Sequence, residues 1–455
     1  MLVILGYSFN QKDNRLEQGG LLQFASKPSG AVVTLDEITM GSLTPGKSTA
    51  SAQNHTVTMS LKGYRMWQKT INLKPGMIGW LSYARLVPQD PKTEKLRSFA
   101  TLAANLPAPD NKSIVFTEDF SKATFILADL QNDVTKYRAL TLPTGSFTVP
   151  TIADAPQTFV VDSWSHDARH LLVKHSYDTD KVEWIVVDID DIANTKNITA
   201  PSALRADKVL FGTGNGQTVF AKADGTVYRI KLDDLTLPRP IIANIDDFSI
   251  YSSTTVLYVS RPDPLSKQRT VGYINEDMQN GQSLGTYPDD GQSLKIAMSD
   301  YFSKRYLAVG HGATVTVTSG ELPRLDRKGN MKPVTKMTLP APIEWLSMST
   351  NSRFIIAEAT GTYITHDLEL IKTDVTRIGN ATGPVKQLRW LDAYMTYSDK
   401  GGMLRLYEFD GANQQNTVPV AEGFNASLGP NDKYIYSIVR DGAGFALQRL
   451  KMIVE

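Results

Sequence analysis

The stretch Ser347–Glu358 reads Ser-Met-Ser-Thr-Asn-Ser-Arg-Phe-Ile-Ile-Ala-Glu and decides the fold. This pattern predicts a short strand, a tight polar turn and a second, apolar strand. An Asp, Asn or Ser turn precedes a basic or polar residue, and a run rich in β-branched and aromatic residues follows. Four other stretches share the plan: Ala108–Phe116, Ser165–Val173, Asp300–Val309 and Gly429–Ile438. A two-strand pattern that recurs along the chain predicts a repeat architecture built from β-strands.

Around this pattern, eight units of about 46 residues follow one another to the C-terminus. They begin near Phe99, Gln157, Ala203, Asn244, Ser293, Pro342, Pro384 and Glu422. A four-stranded propeller blade has this length, and radial repetition protects most strand edges. We therefore predict a β-propeller of the WD40- or TolB-like repeat type over 99–455, with eight blades favoured and seven as the alternative. The last unit ends after a third strand, so we expect the segment before Phe99 to supply its fourth strand.

The composition of the 455 residues excludes several classes of function. An apolar fraction of 41% and a charged fraction of 21% indicate a folded soluble protein. A formal net charge of +1 without a dense Lys/Arg block gives no basis for binding nucleic acid or anionic lipid. The absence of cysteine excludes disulfides, Cys-ligated metals and thiol catalysis.

The first 20 residues form a tail with an apolar start, Leu2–Leu5, and a polar continuation, Ser8–Gly20. A bilayer span needs about 20 apolar residues, so this run cannot cross a membrane by itself. We hypothesise that it is the remnant of a membrane anchor, and that a tether precedes it. The alternative is a frayed chain end.

Residues 21–89 alternate short strand patterns with Gly/Pro turns and show no helical period. They predict a small all-β sandwich of about 70 residues. A polar, Pro-containing linker, 90–98, follows and leads into the propeller. The predicted fold class is therefore all-β: a sandwich, then a propeller.

The sandwich segment resembles a PEGA domain. The resemblance rests on Pro28-Ser29-Gly30-Ala31, Val33-Thr34-Leu35-Asp36, Gly41, Thr44-Pro45, His55-Thr56-Val57 and Gly63-Tyr64. Glu37 stands where the family usually has Gly, and two residues rather than one separate Gly41 from Thr44; both departures fall in turns. The resemblance implies a bacterial or archaeal surface module, often tethered to a membrane or joined to another domain, and it brings no catalytic residues.

Two motifs invite an enzymatic interpretation, and their context argues against it. Gly281–Gly285 matches G-x-S-x-G, but the segment is a Gly/Asn/Gln-rich loop pattern with no helix to follow it, as a nucleophile elbow requires. Gly212–Gly216 (Gly-Thr-Gly-Asn-Gly) joins two strand patterns and does not open a helix, so it predicts a hairpin turn rather than a phosphate loop.

Metal sites are only weakly indicated. His166 lies in a turn, whereas His170 and His175 differ by an odd number and face opposite sides of a regular strand. The acidic groups Asp188-Ile189-Asp190-Asp191 and Asp289-Asp290-Gly291 lack the spacing of a calcium loop. We therefore expect no cofactor, with Ca²⁺ as a weak alternative.

Trp345 and Trp390 occupy similar places in the first strands of units six and seven. Packing within the blades is the simpler role for them. The alternative, which we adopt as the binding-site prediction, is stacking on a sugar or peptide. The sequence as a whole predicts a non-enzymatic, extracytoplasmic binding or scaffold protein of the cell envelope or surface, whose propeller face binds a protein or cell-wall glycan. The alternatives are a propeller hydrolase or lyase with an axial active site, and an accessory unit of a larger envelope complex.

Overall fold

The computed structural model describes residues 7–10, 15–131, 133–152, 155–324, 326–378 and 388–454. In these ranges the chain is all-β, as predicted, and its only helices are two short 3₁₀ helices, Ile192–Asn194 and Pro430–Asp432. The apolar run Leu2–Leu5, on which the anchor hypothesis rests, lies outside the described residues. Strands β1 (Tyr7–Asn10) and β2 (Arg15–Gln18) pair as an antiparallel hairpin ahead of the first domain.

The sandwich domain consists of two sheets packed face to face. Its strands are β3 (Gly20–Lys27), β4 (Val32–Leu35), β5 (Ile38–Leu43), β6 (Gly46–Ala50), β7 (Asn54–Ser60), β8 (Trp67–Asn72) and β9 (Ile78–Arg85). The strand orders are β6-β3-β9 and β5-β4-β7-β8, with β3 and β9 parallel. Alternate residues of β3 and β7 point inward, among them Leu22, Phe24, Val57 and Met59, and form one buried core.

The turn between β4 and β5 explains one departure from the family pattern. Asp36 and Glu37 both have positive φ, 46° and 70°. Glycine adopts this left-handed conformation freely, whereas a side chain makes it costly. The Asp36 carboxylate compensates by accepting the backbone N–H of Thr56 at 2.8 Å and lying 2.5 Å from His55 Nδ1. These contacts lower the pKa of Asp36, the Thr56 hydrogen bond first and the His55 hydrogen bond second.

In the described part of the chain after the sandwich, eight four-stranded antiparallel sheets are present. Sheets 1 to 4 contain β11 (Ala104–Pro107), β12 (Ser113–Thr117), β13 (Thr124–Asp129), β14 (Lys136–Thr141); β15 (Thr158–Trp164), β16 (His170–Tyr177), β17 (Lys181–Asp188), β18 (Lys196–Asn197); β19 (Ala206–Phe211), β20 (Thr218–Ala223), β21 (Thr226–Lys231), β22 (Asp234–Ile242); and β23 (Ile245–Ile250), β24 (Thr255–Ser260), β25 (Gln268–Asn275), β26 (Gln282–Pro288).

Sheets 5 to 7 continue in the same order along the chain. They contain β27 (Leu294–Tyr301), β28 (Lys304–His311), β29 (Thr314–Ser319), β30 (Lys332–Thr338); β31 (Trp345–Met348), β32 (Phe354–Ala359), β33 (Thr362–Asp367), β34 (Lys372–Arg377); and β35 (Arg389–Trp390), β36 (Met395–Ser398), β37 (Met403–Glu408), β38 (Gln415–Pro419).

Sheet 8 joins the two ends of the propeller. Its strands β39 (Ser427–Leu428), β40 (Tyr434–Asp441) and β41 (Gly444–Lys451) come from the C-terminus, and its fourth strand is β10 (Thr93–Phe99). The prediction that the segment before Phe99 completes the last unit is confirmed, since Phe99 pairs with Phe445. Most of β10 falls within the linker assigned to 90–98, so this segment both joins the domains and completes a sheet.

Buried side chains lie between the sheets and link each to the next. Leu171 of sheet 2 packs with Val115 of sheet 1, and equivalent clusters join every later pair of neighbours. A further cluster joins sheet 8 to sheet 1 through Tyr436 and Phe116, with Phe99 between them. The hydrophobic core of the propeller is therefore distributed around the circle of sheets.

The motif that decides the fold forms the same turn in different sheets. Ser349 Oγ accepts the N–H of Phe354 at 2.9 Å and donates to Asn351 at 2.6 Å, and Ser165 does the same for His170 and Asp167. The residue just before the basic position has positive φ in all five stretches: Asn111, Ala168, Ser303, Ser352 and Asp432. The shared sequence plan therefore corresponds to a shared strand–turn–strand geometry.

Candidate binding site: the docking face and its clefts

The sandwich contacts one end of the propeller. In an antiparallel sheet of four consecutive strands, the loops between strands 1 and 2 and between strands 3 and 4 lie at the same end. We call this end of the propeller the docking face. The sandwich forms ion pairs with the loops of sheets 7 and 8 that carry Asp410 and Asp432, and it lines a cavity together with Arg353 of sheet 6.

Lys69 is the central cation of this interface. It lies on β8 of the sandwich, and its Nζ is 2.5 Å from Glu408 and 2.6 Å from Asp410 at the end of β37. All three side chains are nearly buried, with exposures of 11%, 2% and 9%. Burial lowers the pKa of Lys69, but the two carboxylates outweigh it and the net pKa is raised. Lys69 is therefore held in its charged form.

The other carboxylate oxygen of Glu408 also contacts the sandwich, since Trp67 Nε1–H donates to it. Burial raises the pKa of Glu408 even though Lys69 and Trp67 lower it. The partners from the sandwich therefore oppose the effect of burial on Glu408, and the net pKa is raised.

Arg353 is the second buried cation, and it belongs to the motif that decides the fold. Its guanidinium donates to both oxygens of Asp367, at 3.0 and 2.6 Å, and lies 2.6 Å from Glu369. Burial lowers the pKa of Arg353, but Asp367 and Glu369 raise it well above its usual value. Tyr301 of sheet 5 donates to Glu369 at 2.7 Å and extends the network to the next sheet.

Aromatic rings separate the two cations. The ring of Phe409 lies 4.9 Å from Lys69 Nζ and 6.0 Å from the Arg353 guanidinium, and it stacks on Phe354 at 4.2 Å. Tyr83 of the sandwich stacks on Tyr394 of the propeller at 5.1 Å. Burial raises the pKa of Tyr83 well above its usual value, so the phenol stays protonated. Cation–π contacts of this kind strengthen when they are shielded from water.

A second group of polar contacts fixes the other edge of the interface. Arg85 of β9 reaches Asp392 at 2.7 Å and Asp432 at 3.2 Å, and Lys27 also pairs with Asp432. Arg65 donates to the carbonyl of Asn416 at 2.7 Å. The sandwich is therefore joined to two neighbouring sheets, 7 and 8, by ion pairs to which both domains contribute.

An interdomain cleft of about 720 Å³ opens beside this network. Its walls are β8 and β9 of the sandwich and the loop and strand around β34 of sheet 6. Trp80 and Ile371 stand on opposite walls with 43% and 59% of their surface exposed. Lys69 and Arg353 lie in the lining with their carboxylate partners, so the floor of the cleft is charged but internally neutralised.

A second cavity, the polar pocket, has a volume of about 860 Å³ and lies on the same face between sheets 4 and 5. Tyr251 donates to Asp300 at 2.5 Å, and Arg305 Nε lies 3.1 Å from both. Burial and the hydrogen bond to Asp300 raise the pKa of Tyr251 to about 12. The Oγ of Ser299 is buried in the lining and has no hydrogen-bond partner among the described residues.

Comparison with known proteins identifies the first domain. Residues 20–86 match the PEGA domain model. The first domain is a PEGA domain. A search of the curated proteins found no sequence that matches the chain.

Solved structures with a similar fold are β-propellers. An oligogalacturonate lyase in complex with manganese has a TM-score of 0.44 and 12% identity, over 80% of this chain and 98% of that one. A β-propeller domain from Myceliophteria thermophila has a TM-score of 0.41 and 10% identity, over 80% of this chain and 100% of that one. The dihydro-heme d1 dehydrogenase NirN has a TM-score of 0.44 and 13% identity, over 70% and 67%. These similarities concern the fold alone.

The structure places the two predicted tryptophans on first strands, Trp345 on β31 and Trp390 on β35. Trp345 is 40% exposed, whereas Trp390 is half-buried and stacks on Phe354 at 6.2 Å. Neither lies in the lining of the interdomain cleft or the polar pocket. Trp390 instead supports the aromatic cluster under the PEGA domain, and a ligand-binding role for either residue stays a prediction.

The two motifs that invited an enzymatic interpretation lie in a hairpin turn and at an edge strand. Gly212–Gly216 is the hairpin turn between β19 and β20, as predicted. The prediction of a loop at Gly281–Gly285 is wrong, because Gln282–Pro288 is strand β26 and Ser283 pairs with Gly272. Since the segment is an extended edge strand, it makes no nucleophile elbow.

The histidines and acidic groups have local partners. His166 lies in a turn, as predicted, and His175 is buried, 2.8 Å from Glu183 and stacked on Phe159 at 4.1 Å. His170 packs at the mouth of the Gly212–Gly216 turn.

Among the acids proposed for calcium, Asp188 accepts the N–H groups of residues 190 and 191, Asp190 pairs with Arg169 and Asp290 accepts the N–H of Gln292. Within the described ranges, no three His, Asp or Glu side chains come together as metal ligands. No helix of the described residues is long and apolar enough to span a bilayer.

Sequence reasoning missed the interface between the domains. Lys69 gave the one available signal, since it occupies an inward-facing position of β8 between Trp67 and Ile71, where an apolar residue is expected. A lysine there indicates a buried acidic partner. Its partners Glu408 and Asp410 are more than 330 residues away in the chain, so no local pattern identified them.

Proposed function

We propose that this chain is a non-enzymatic binding or scaffold protein that works outside the cytoplasm, at the cell envelope or surface, and that its docking face binds a protein partner. The observation that supports this most is the set of ion pairs made by Lys69, Arg85 and Lys27, which join the PEGA domain to the propeller face. A domain held in this way extends the binding surface of the propeller beyond its own loops.

The protonation states in this network favour a structural role over catalysis. A general acid or base must exchange a proton near the working pH. Lys69 and Arg353 have raised pKa values and two carboxylate partners each, and the raised pKa of Tyr83 keeps its phenol protonated. In the polar pocket the pKa of Tyr251 is raised as well. These groups therefore keep their protons near neutral pH and do not exchange them as a general acid or base would.

The polar pocket favours a second candidate, a cell-wall glycan. Its lining is rich in hydroxyl and amide groups, including Ser252, Thr255, Asn275 and the unpartnered Ser299. Sugars are bound by such groups together with aromatic faces, and Tyr251 and Tyr273 supply the rings. Glycan binding and protein binding are separated by the experiment below.

The experiment is capture from envelope fractions by the immobilised full chain, with purified peptidoglycan sacculi as a parallel sample. A protein partner is captured from an untreated envelope extract and is lost when the extract is first digested with protease. Binding to sacculi that survives this digestion supports the glycan candidate. Release of reducing ends or unsaturated products from a glycan pool would instead favour the hydrolase or lyase.

Two exposed residues provide a matched test of the face. Phe302, 78% exposed, lies in the loop between β27 and β28 on the docking face, whereas Leu265, 94% exposed, lies between β24 and β25 at the opposite end. We expect Phe302→Asp to reduce capture and Leu265→Asp to leave it unchanged. The reverse pattern would show that the opposite end binds, and absence of binding to both fractions would reject the proposal.

A further inference from the structure

The outer edge of β8 is open where it lines the interdomain cleft. β8 pairs with β7 and with no other strand in the described residues. Thr56 of β7 lies opposite Thr70. Its N–H donates to the Asp36 side chain and its C=O accepts the Asp36 N–H, so both groups point away from β8. Thr56 and Thr70 are thus a non-hydrogen-bonded pair of the antiparallel ladder. In such a pair the N–H and C=O of both residues point away from each other, so those of Thr70 face the open edge.

The propeller already uses this edge at one position. The side-chain amide of Asn413 donates to the carbonyl of Gln68 at 3.0 Å and accepts the N–H of Gln68 at 3.2 Å. This is the pair of bonds that a neighbouring strand would make. Because outward-facing residues alternate, Thr70 and Asn72 present the next two N–H and C=O pairs. Both residues are exposed, and neither the ladders nor the loops in the described ranges supply partners for these groups.

The cleft next to this edge has the surface that an extended peptide requires. Thr70 and Asn72 lie in its lining, with Trp80 on the same domain and Ile371 on the opposite wall. The charged side chains of the lining comprise four cations and four anions: Lys69, Lys74, Arg353 and Lys372, and Asp367, Glu369, Asp374 and Asp410. A surface with balanced charge and exposed apolar side chains does not favour a charged ligand.

We propose that the open edge of β8 at Thr70 and Asn72 binds an extended, uncharged segment of a partner protein as an added β-strand. The backbone of the segment would bond to Thr70 and Asn72, and its alternate side chains would contact Trp80 and Ile371. The inference adds to the proposed function a site and a bonding mode. It rests on that proposal only in taking the partner to be a protein.

A purified peptide tests the site without any envelope fraction. The probe is a fluorescently labelled hexapeptide of alternating Val and Thr with both ends blocked, and the measurement is fluorescence polarisation with the full chain. A second peptide carries N-methyl groups on alternate amides, which removes the donors that a strand needs. We expect the first peptide to bind and the N-methylated peptide to bind at least about tenfold more weakly. Equal binding of the two peptides, or no binding of either, would overturn the proposal.

A pair of variants locates the binding. Thr70→Pro removes the outward N–H, and proline is tolerated on edge strands because that N–H does not bond within the sheet. Thr70→Ala keeps the backbone intact. We expect at least a tenfold loss of affinity in Thr70→Pro and a change within about twofold in Thr70→Ala. Unchanged affinity in a folded Thr70→Pro variant would contradict the site.

Amide hydrogen exchange gives a readout that does not need a variant. The N–H groups of Thr70 and Asn72 should exchange fast in the free protein and slowly with the peptide bound. Slow exchange of both amides in the free chain, with a dimer in size-exclusion chromatography, would make a second copy the occupant and reject a partner segment. Failure here with successful envelope capture leaves the proposed function in place. Peptide binding without envelope capture would support the site on β8 and reject the proposed function.

Discussion

Substitution of Lys69 by methionine tests the interface most directly. The substitution keeps the length of the side chain and removes the charge, which leaves Glu408 and Asp410 facing each other with exposures of 2% and 9%. Removal of one partner from a buried ion pair typically costs about 3–5 kcal/mol, because the remaining charge is left uncompensated. We therefore expect Lys69→Met to lower the free energy of unfolding by about 3–5 kcal/mol at pH 8.

The loss should depend on pH with a definite sign. Burial already raises the pKa of Glu408, and Lys69 is the leading cause that lowers it. Without Lys69 the folded-state pKa rises further above the unfolded value, so the folded variant is most stable when Glu408 is protonated. Its stability then falls as the pH rises through the folded-state pKa. The deficit relative to the unmodified chain should thus be smaller at pH 5 than at pH 8.

The assay is urea unfolding followed by tryptophan fluorescence at both pH values, since the Trp67 indole bonds to Glu408. Lys372→Met is the matched control, because Lys372 also faces the cleft but is 58% exposed and pairs with Asp374 at 2.7 Å. An exposed pair of this kind contributes at most about 0.5–1 kcal/mol. If Lys69→Met and Lys372→Met lose similar stability, or if the Lys69→Met deficit grows as the pH falls, the reasoning about the interface is refuted.

Three further predictions concern the rest of the fold. Glu37→Gly should raise the free energy of unfolding by about 1 kcal/mol, because glycine adopts the positive φ of that turn freely. Glu37→Ala should give no such gain, and thermal unfolding of both variants is the measurement. Phe99→Ala should cost about 3–5 kcal/mol in urea unfolding, because Phe99 is buried between sheets 8 and 1, whereas Leu265→Ala on the surface should cost almost nothing. Burial raises the pKa of Glu183, but hydrogen bonds from His175 and Thr148 outweigh it and lower the pKa to about 2. The ionised carboxylate therefore contributes about 3 kcal/mol to the free energy of unfolding above the unfolded-state pKa, and this contribution is lost as the pH falls toward 2. Acid unfolding of Glu183→Gln, which should lack this part of the pH dependence, checks the value.

The repeated strand–turn–strand pattern could be predicted because its determinants are local. Ser349, Asn351 and Arg353 set a turn whose hydrogen bonds lie within five residues, and the apolar run after it has the length of a strand. The closing strand β10 was predictable from counting, since the last unit lacked a fourth strand. The strand β26 was missed because Gly281 and Gly285 weaken the β pattern, although Gly272 and Gly281 are small where Tyr258 packs against them.

The candidate site was less predictable than the fold because it depends on residues that meet only after folding. Arg353 shows this clearly. Its motif places a basic residue after the turn in every sheet that carries it, and Arg169, the equivalent in sheet 2, is exposed and pairs with Asp190 at the surface. Arg353 instead is buried among Phe354, Phe409 and its two carboxylate partners, beside the PEGA domain. The sequence thus identified the turn but not which copies of it, those of sheets 6 and 8, lie beside the PEGA domain.

The polar pocket and the interdomain cleft are linked through two consecutive residues of sheet 5. Asp300 binds Arg305 and Tyr251 in the polar pocket, and the next residue, Tyr301, donates to Glu369 in the network of Arg353. A hydrogen-bonded path therefore runs from the pocket of sheets 4 and 5 to the wall of the interdomain cleft, where Glu369 is part of the lining. A shift of the backbone at Asp300 and Tyr301 would alter the contacts of Asp300 in the pocket and of Glu369 beside the cleft together. Lys69 of the PEGA domain pairs instead with Glu408 and Asp410, and the next residue, Thr70, lies at the open edge of β8 in the lining of the same cleft.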